Sequence, residues 1–213
     1  SDVCSSDLGQ IDTYNGSTIL AMTGADCVAI ACDLRLGVQM QTVSTNCKKI
    51  FQINDHILIG LAGLLTDADT VHEKLRCEVN LLELREERPL DPKRFINLVI
   101  SMLYEHRFGS YFIQPVIAGL DPVTNKPIIA GSDSIGAMNI FEDYVVGGTS
   151  SDSLYGICES YWRPGMNEEE LFNTISTCLI SAIERDSLSG WGGVVYIMTK
   201  DKLIVREIKT RMD

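Results

Sequence analysis

Two apolar runs near the start of the chain, TILAMT at 18–23 and CVAIAC at 27–32, are separated by only Gly24, Ala25 and Asp26. Turn-forming residues between two strand-forming runs predict a β-hairpin. The second run, which ends at Asp33, is apolar on both of its faces. A sheet that contains such a strand must be covered on both sides, and this excludes a simple open sheet with one wet face. The pattern recurs. KIFQI and ILIGLAG flank Asn54-Asp55-His56 as a second hairpin. PVIAGLD, KPIIAGSD, GAMNIF and YVVGG follow as short apolar runs, and GGVVYIMT and LIVREIK close the chain around the turn KDK.

Helical patterns lie between these strand groups. The segment 66–89 opens on the cap candidates Thr66 and Asp67, stops at Pro89, and repeats Val71, Leu75, Val79 and Leu82 at helical spacing. The next opens with Asp91 as cap and Pro92 in the first turn, carries Phe95, Leu98, Val99, Met102 and Leu103 as its buried stripe, and ends at Gly109. A second pair is predicted at about 151–162 and 168–187, split by RPGMN, with Leu171, Ile175, Cys178, Leu179 and Ile183 facing the core. Strands, two helices, strands, two helices, strands: the economical architecture is α+β. It is a four-layer sandwich of two stacked antiparallel sheets with a helix pair outside each. At 213 residues and 45% hydrophobic, the chain suits one domain of this kind.

Charge and cysteine usage narrow the function classes. A net charge of −11 disfavours nucleic acid and anionic lipid as partners. No apolar run approaches the roughly 20 residues of a membrane-spanning helix. The cysteines Cys4, Cys27, Cys32, Cys47, Cys77, Cys158 and Cys178 are odd in number and contain no C-x-x-C pair, and several sit in apolar runs. This reads as a reducing, intracellular setting without a disulfide framework. His56, His72 and His106 lack ligand spacing, so no metal or other cofactor is expected. The glycines of VVGGTSSDS lack the lysine and spacing of a phosphate loop and read as a tight strand-to-helix turn.

One constellation carries chemistry. Ser17 opens the first strand, Asp33 ends the second, Lys49 opens the third and Gly63 lies in LAGLLTDA. As two hairpins of one sheet, these strand ends can converge. A lysine lowers the proton affinity of a neighbouring serine, an aspartate holds the lysine, and a glycine N–H can stabilise an oxyanion. Taken alone, such a coincidence is more often structural than catalytic, and Asp33, Arg35 and Lys49 are expected to form a structural polar cluster at the sheet end.

The stretches DCVAIACDLRLG, KKIFQIN, IGLAGLLTDA, LYEHRFGSYFIQPVIAGLDP, LYGICESYW and ERDSLSGWGGVVYI resemble the beta-type subunits of the eukaryotic 20S proteasome, and among them a non-catalytic class. The resemblance runs from about Tyr14 to the C-terminus. It implies the N-terminal-nucleophile hydrolase fold, an alpha-beta-beta-alpha sandwich. In active members a propeptide is cut after a glycine to free an N-terminal threonine, which is the nucleophile. Carried across, the glycine is Gly16, and the site residues match Ser17, Asp33, Lys49, Gly63, Asp186 and Ser189. Two positions depart: Ser17 replaces the threonine, and Gly147 stands where active members have a serine.

The resemblance therefore implies a retained leader over 1–16 and a beta-type domain over 17–213, with the six matching residues forming a vestigial site. The implied function is a structural subunit that helps assemble the beta ring in ubiquitin-dependent protein degradation. The implied partners are alpha-type and beta-type subunits in a 28-chain particle, with regulatory particles bound through the alpha rings, in cytoplasm and nucleus. Asp133, in GSDSIGAMN, falls where the family borders a neighbour's substrate channel. The alternative is an active peptidase that uses Ser17 after cleavage behind Gly16.

Overall fold

The computed structural model describes residues 11–212; the first ten residues of the expected leader, and Cys4 with them, lie outside the described residues. The opening hairpin forms as its sequence requires. β1 (Thr18–Thr23) and β2 (Cys27–Asp33) pair antiparallel, with Ile19 opposite Cys32 and Thr23 opposite Val28, and every residue of both is buried. The ribbon β3 (Leu36–Val38) and β4 (Gln41–Ser44) then leads away, a short hairpin that the sequence pattern did not announce. β5 (Ile50–Asn54) and β6 (Ile57–Gly63) form the next hairpin. They begin a second sheet, continued by β7 (Ile113–Leu120), β8 (Pro127–Ser132) and β9 (Met138–Phe141) in sequential order. The chain returns to the first sheet with β10 (Tyr144–Gly148), and later with β11 (Gly193–Thr199) and β12 (Leu203–Ile208). The first sheet is ordered β10-β1-β2-β11-β12, and both five-stranded sheets are antiparallel throughout.

Alternation along the buried strands divides the core into three layers. Ile19, Ala21, Ile30 and Cys32 point between the sheets, where they meet Leu58, Val116, Ala118 and Ile129. Leu20, Met22, Ala29 and Ala31 point the other way, onto Leu171, Ile175 and Leu179 of a covering helix. Ile57, Ile59, Leu61 and Ile117 do the same on the second sheet, under Val71, Leu75, Phe95 and Val99. The covering helices are α1 (Leu65–Glu86) and α2 (Pro92–Glu105) on the second sheet, and α3 (Ser151–Tyr161) and α4 (Glu168–Ile183) on the first. The alpha-beta-beta-alpha sandwich expected from the two-faced apolar strands is thus the fold.

The helix ends show where local sequence is sufficient. Asp91 Oδ1 accepts from Arg94 N–H at 2.8 Å, and Asn167 with Glu170 forms a reciprocal capping box at 3.0 Å each way. The start of α1 departs from expectation. Neither Thr66 nor Asp67 caps it; Asp67 instead accepts from Phe112 N–H at 2.8 Å, and the helix begins at Leu65, whose N–H is taken by Asn15 Oδ1 at 2.9 Å. The cap comes from the segment ahead of β1, 50 residues away. Among the described residues, no helix is long and apolar enough to cross a membrane.

Candidate functional site

The strand-end residues converge, but from two sheets rather than one. Ser17 precedes β1 and Asp33 ends β2 in the first sheet, whereas Lys49 precedes β5 and Gly63 ends β6 in the second. The β3–β4 ribbon lies between Asp33 and Lys49, so their separation of 16 residues spans a crossing between sheets instead of a hairpin within one. Lys49 Nζ reaches over that gap and donates to Asp33 Oδ1 at 2.5 Å, with both side chains buried. Thr18 N–H donates to the same oxygen at 2.9 Å, while Arg35 N–H and Gly190 N–H donate to Oδ2 at 3.2 Å each. A buried carboxylate is tolerable only when its oxygens are saturated in this way.

Gly63 is required by its surroundings. Its φ is +113°, and a Cβ there would stand 2.3 Å from the Phe112 carbonyl oxygen. The unusual backbone aims its N–H at Ser17 Oγ, 3.2 Å away. Among the described residues that N–H is the only hydrogen-bond partner of the Ser17 hydroxyl. Lys49 Nζ faces the Gly16 carbonyl at 3.4 Å rather than the hydroxyl.

Asp186 and Ser189 also arrive, but at one remove. Asp186 Oδ2 accepts from Ser189 Oγ at 2.7 Å and from Thr149 Oγ1 at 2.6 Å, and Oδ1 accepts from Leu188 N–H at 3.0 Å. Thr149 N–H donates to the Ser17 carbonyl at 2.7 Å. Thr149 therefore links this pair to the backbone of Ser17 and not to its hydroxyl. Sequence reasoning missed it, because a threonine after two glycines reads as an ordinary helix entry. Gly147, opposite Ile19 in the β1–β10 pairing, presents no side chain to the site.

Two further expectations need qualification. Arg35 is buried, but its guanidinium turns away from Asp33: Nε donates to Thr42 Oγ1 at 3.0 Å, and Nη1 and Nη2 donate to the Leu188 and Gln39 carbonyls at 2.8 and 3.0 Å. Only its backbone joins the polar cluster, because Lys49 already supplies the cation. Asp133 lies in the exposed β8–β9 loop, outside the cluster, where Oδ1 accepts from Ile135 N–H at 3.1 Å and Ala137 N–H at 2.8 Å. Next to Asp33, burial pushes the Cys32 thiol up to about 12, so it remains protonated at neutral pH and is no nucleophile. Burial likewise raises Cys47.

A buried lysine–aspartate pair spanning two sheets, a glycine N–H aimed at the residue before β1, and an Asp-x-x-Ser turn behind it are specific enough to compare with known proteins. Residues 13–198 match the family described as "Proteasome subunit". Proteasome subunit beta type-3 of Drosophila melanogaster is 50% identical over 200 residues, which cover 94% of this chain and 98% of that protein. The beta type-3 protein of Saccharomyces cerevisiae is 51% identical over 201 residues, and Arabidopsis thaliana beta type-3-B is 52% identical over 200, both with the same two coverages. With half of its residues shared along nearly its whole length, and with the sandwich and strand-end cluster in place, this chain belongs to the proteasome subunit family.

Proposed function

We propose that the chain is a non-catalytic beta-type subunit of the 20S proteasome core particle, which contributes surface to the beta ring and cleaves no bond itself. The observation that carries this reading is the environment of the Ser17 hydroxyl. A serine nucleophile needs a proton acceptor, and the hydroxyl's partner here is a donor, Gly63 N–H. Lys49 is committed to Asp33 and to the Gly16 carbonyl. The amine that serves as base in an N-terminal nucleophile has a free pKa of about 7.7–8.0, and at Ser17 it is an amide nitrogen for as long as the Gly16–Ser17 bond is kept.

The gathering of Asp33, Lys49, Gly63, Asp186 and Ser189 around one serine favours a second reading, a peptidase unmasked by cleavage behind Gly16. Sequencing the N-terminus of the chain from purified particles separates the two. A retained Gly16–Ser17 bond supports the scaffold, and a start at Ser17 supports the enzyme. Ser17→Ala is expected to leave every peptidase rate of the particle unchanged, and an irreversible inhibitor of N-terminal nucleophiles is expected to leave this chain unlabelled. Covalent modification at Ser17 overturns the reading.

Within this proposal the partners are the other alpha-type and beta-type subunits of a 28-chain particle, with regulatory particles meeting the alpha rings, in cytoplasm and nucleus. Co-purification of the other chain types with a tagged copy tests the assembly, and a fluorescent fusion tests the location. The role extends to a neighbour's pocket through Asp133, whose carboxylate is oriented by two backbone N–H groups while the residue stays exposed. A carboxylate on a pocket wall favours a basic substrate side chain. Because the group is exposed, Asp133→Asn is expected to reduce the particle's preference for basic over neutral side chains by about five-fold at most. Unchanged selectivity in all peptidase activities removes Asp133 from any pocket.

A further inference from the structure

We propose that Asn15 is a positioning residue that fastens the segment ahead of Ser17 across the strand-end site, so that the chain's own backbone fills the place a substrate would take. This rests on the scaffold reading, in which that segment is kept. Asn15 uses both ends of its amide on different elements. Nδ2 donates to the Gly37 carbonyl of β3 at 2.9 Å, and Oδ1 accepts from Leu65 N–H at the start of α1 at 2.9 Å. Its backbone carbonyl accepts from Gly37 N–H at 3.1 Å, and the Tyr14 carbonyl accepts from Gln39 N–H at 2.8 Å. The segment thus runs along the β3–β4 ribbon and at the same time caps a helix that has no cap of its own, since Leu64 offers no acceptor side chain.

The next residue is fixed just as tightly. Gly16 adopts φ +66°, and a Cβ on it would lie 2.0 Å from the Leu188 carbonyl oxygen. This conformation directs the Gly16 carbonyl to Lys49 and leaves Gly63 N–H to the Ser17 side chain. The donor that would hold a substrate's oxyanion is occupied by the chain itself. What remains beside Gly63 is a cavity of about 50 Å³, walled on one side by Asp12 and Thr13. A peptide substrate has no room there while Asn15 holds.

Two variants in the assembled particle separate this role from a general loss of stability, read by amide hydrogen exchange at Leu65 and Gly37. Asn15→Ala removes both side-chain bonds and is expected to speed exchange at Leu65 by about five-fold, the loss typical of a missing helix cap, and at Gly37, whose N–H is held by the Asn15 backbone carbonyl, as the segment lifts from the ribbon. Asn15→Asp keeps an acceptor for Leu65 and favours the helix N-terminus, but it sets a carboxylate against the Gly37 carbonyl. It is expected to speed exchange at Gly37 and to leave Leu65 protected. Added protease is expected to cut within residues 11–16 of both variants and not of the parent chain. Unchanged exchange at both amides in Asn15→Ala, or equal loss at Leu65 in the two variants, overturns the proposal while the scaffold reading stands. A parent chain that begins at Ser17 overturns both.

Discussion

Asp33→Ala is expected to keep the chain out of assembled particles, and to do more damage than Lys49→Ala. The ranking follows from what each change leaves behind. The Asp33 carboxylate is fully buried and accepts four hydrogen bonds, from Lys49 Nζ and from the N–H groups of Thr18, Arg35 and Gly190. Removing it strands a buried ammonium, whose remaining contact is the Gly16 carbonyl at 3.4 Å, together with three backbone donors. Breaking a buried ion pair costs about 3–5 kcal/mol, and each orphaned buried donor adds roughly 1–3 kcal/mol. Even partly relaxed, the loss rivals the 5–15 kcal/mol that typically holds a domain together. Lys49→Ala leaves the carboxylate with its three N–H donors and is expected to cost about 3 kcal/mol, at the lower end of the same range. Incorporation into particles and the melting temperature of whatever chain folds are the measurements. If the two variants behave alike, the N–H donors contribute little and the pair alone holds the two sheets together at this end.

The fold was legible because its two-faced strands left few alternatives. CVAIAC is buried from end to end, and only a sheet covered on both sides can accommodate it. The helix periods were equally direct, since Val71, Leu75, Val79, Phe95, Val99 and Leu103 all fall in one core layer. Element ends were less legible. The last helix was expected to reach residue 187, yet α4 stops at Ile183, and the residues beyond it turn back to place Asp186 and Ser189 behind Ser17. Apolar periodicity says nothing about where a polar turn begins.

The site was legible as a set of residues and not as a geometry. Ser17, Asp33, Lys49 and Gly63 do come together, but the spacing that suggested one sheet conceals the β3–β4 ribbon and the crossing it marks. The ribbon is short and contains no charged residue, so neither period nor charge announces it. Asn15 was missed for a related reason. An asparagine before glycine reads as a turn, and nothing local reveals that its amide caps a helix starting at residue 65. Long-range hydrogen bonds of single side chains leave no periodic trace in a sequence.

The neighbouring glycines 147 and 148 are expected to respond in opposite ways to a side chain. At Gly148, φ is +97° and a new Cβ would lie 2.0 Å from the Ser17 carbonyl oxygen and 2.7 Å from its carbon. Both are backbone atoms of the paired strand end, and that carbonyl also accepts Thr149 N–H at 2.7 Å. No side-chain rotation relieves the contact. Gly148→Ala must push β10 from β1 and take Thr149, and with it Asp186, away from Ser17. Backbone strain of this kind costs about 1–3 kcal/mol before any clash is counted, so a loss of more than about 3 kcal/mol is expected, with the chain failing to enter particles. At Gly147 φ is not positive, and a Cβ would meet the Val116 Cγ2 methyl at 3.2 Å, a side-chain contact that a small shift relieves. Gly147→Ser is therefore expected to fold and assemble, within about 1 kcal/mol of the parent chain. It also places a hydroxyl at the position where the resemblance implies a serine in active members. If it confers no labelling of Ser17 by an irreversible inhibitor, a hydroxyl at 147 is not what the site lacks, as the proposed scaffold role requires. If it confers labelling, the hydroxyl alone was lacking, and the segment ahead of Ser17 is no barrier.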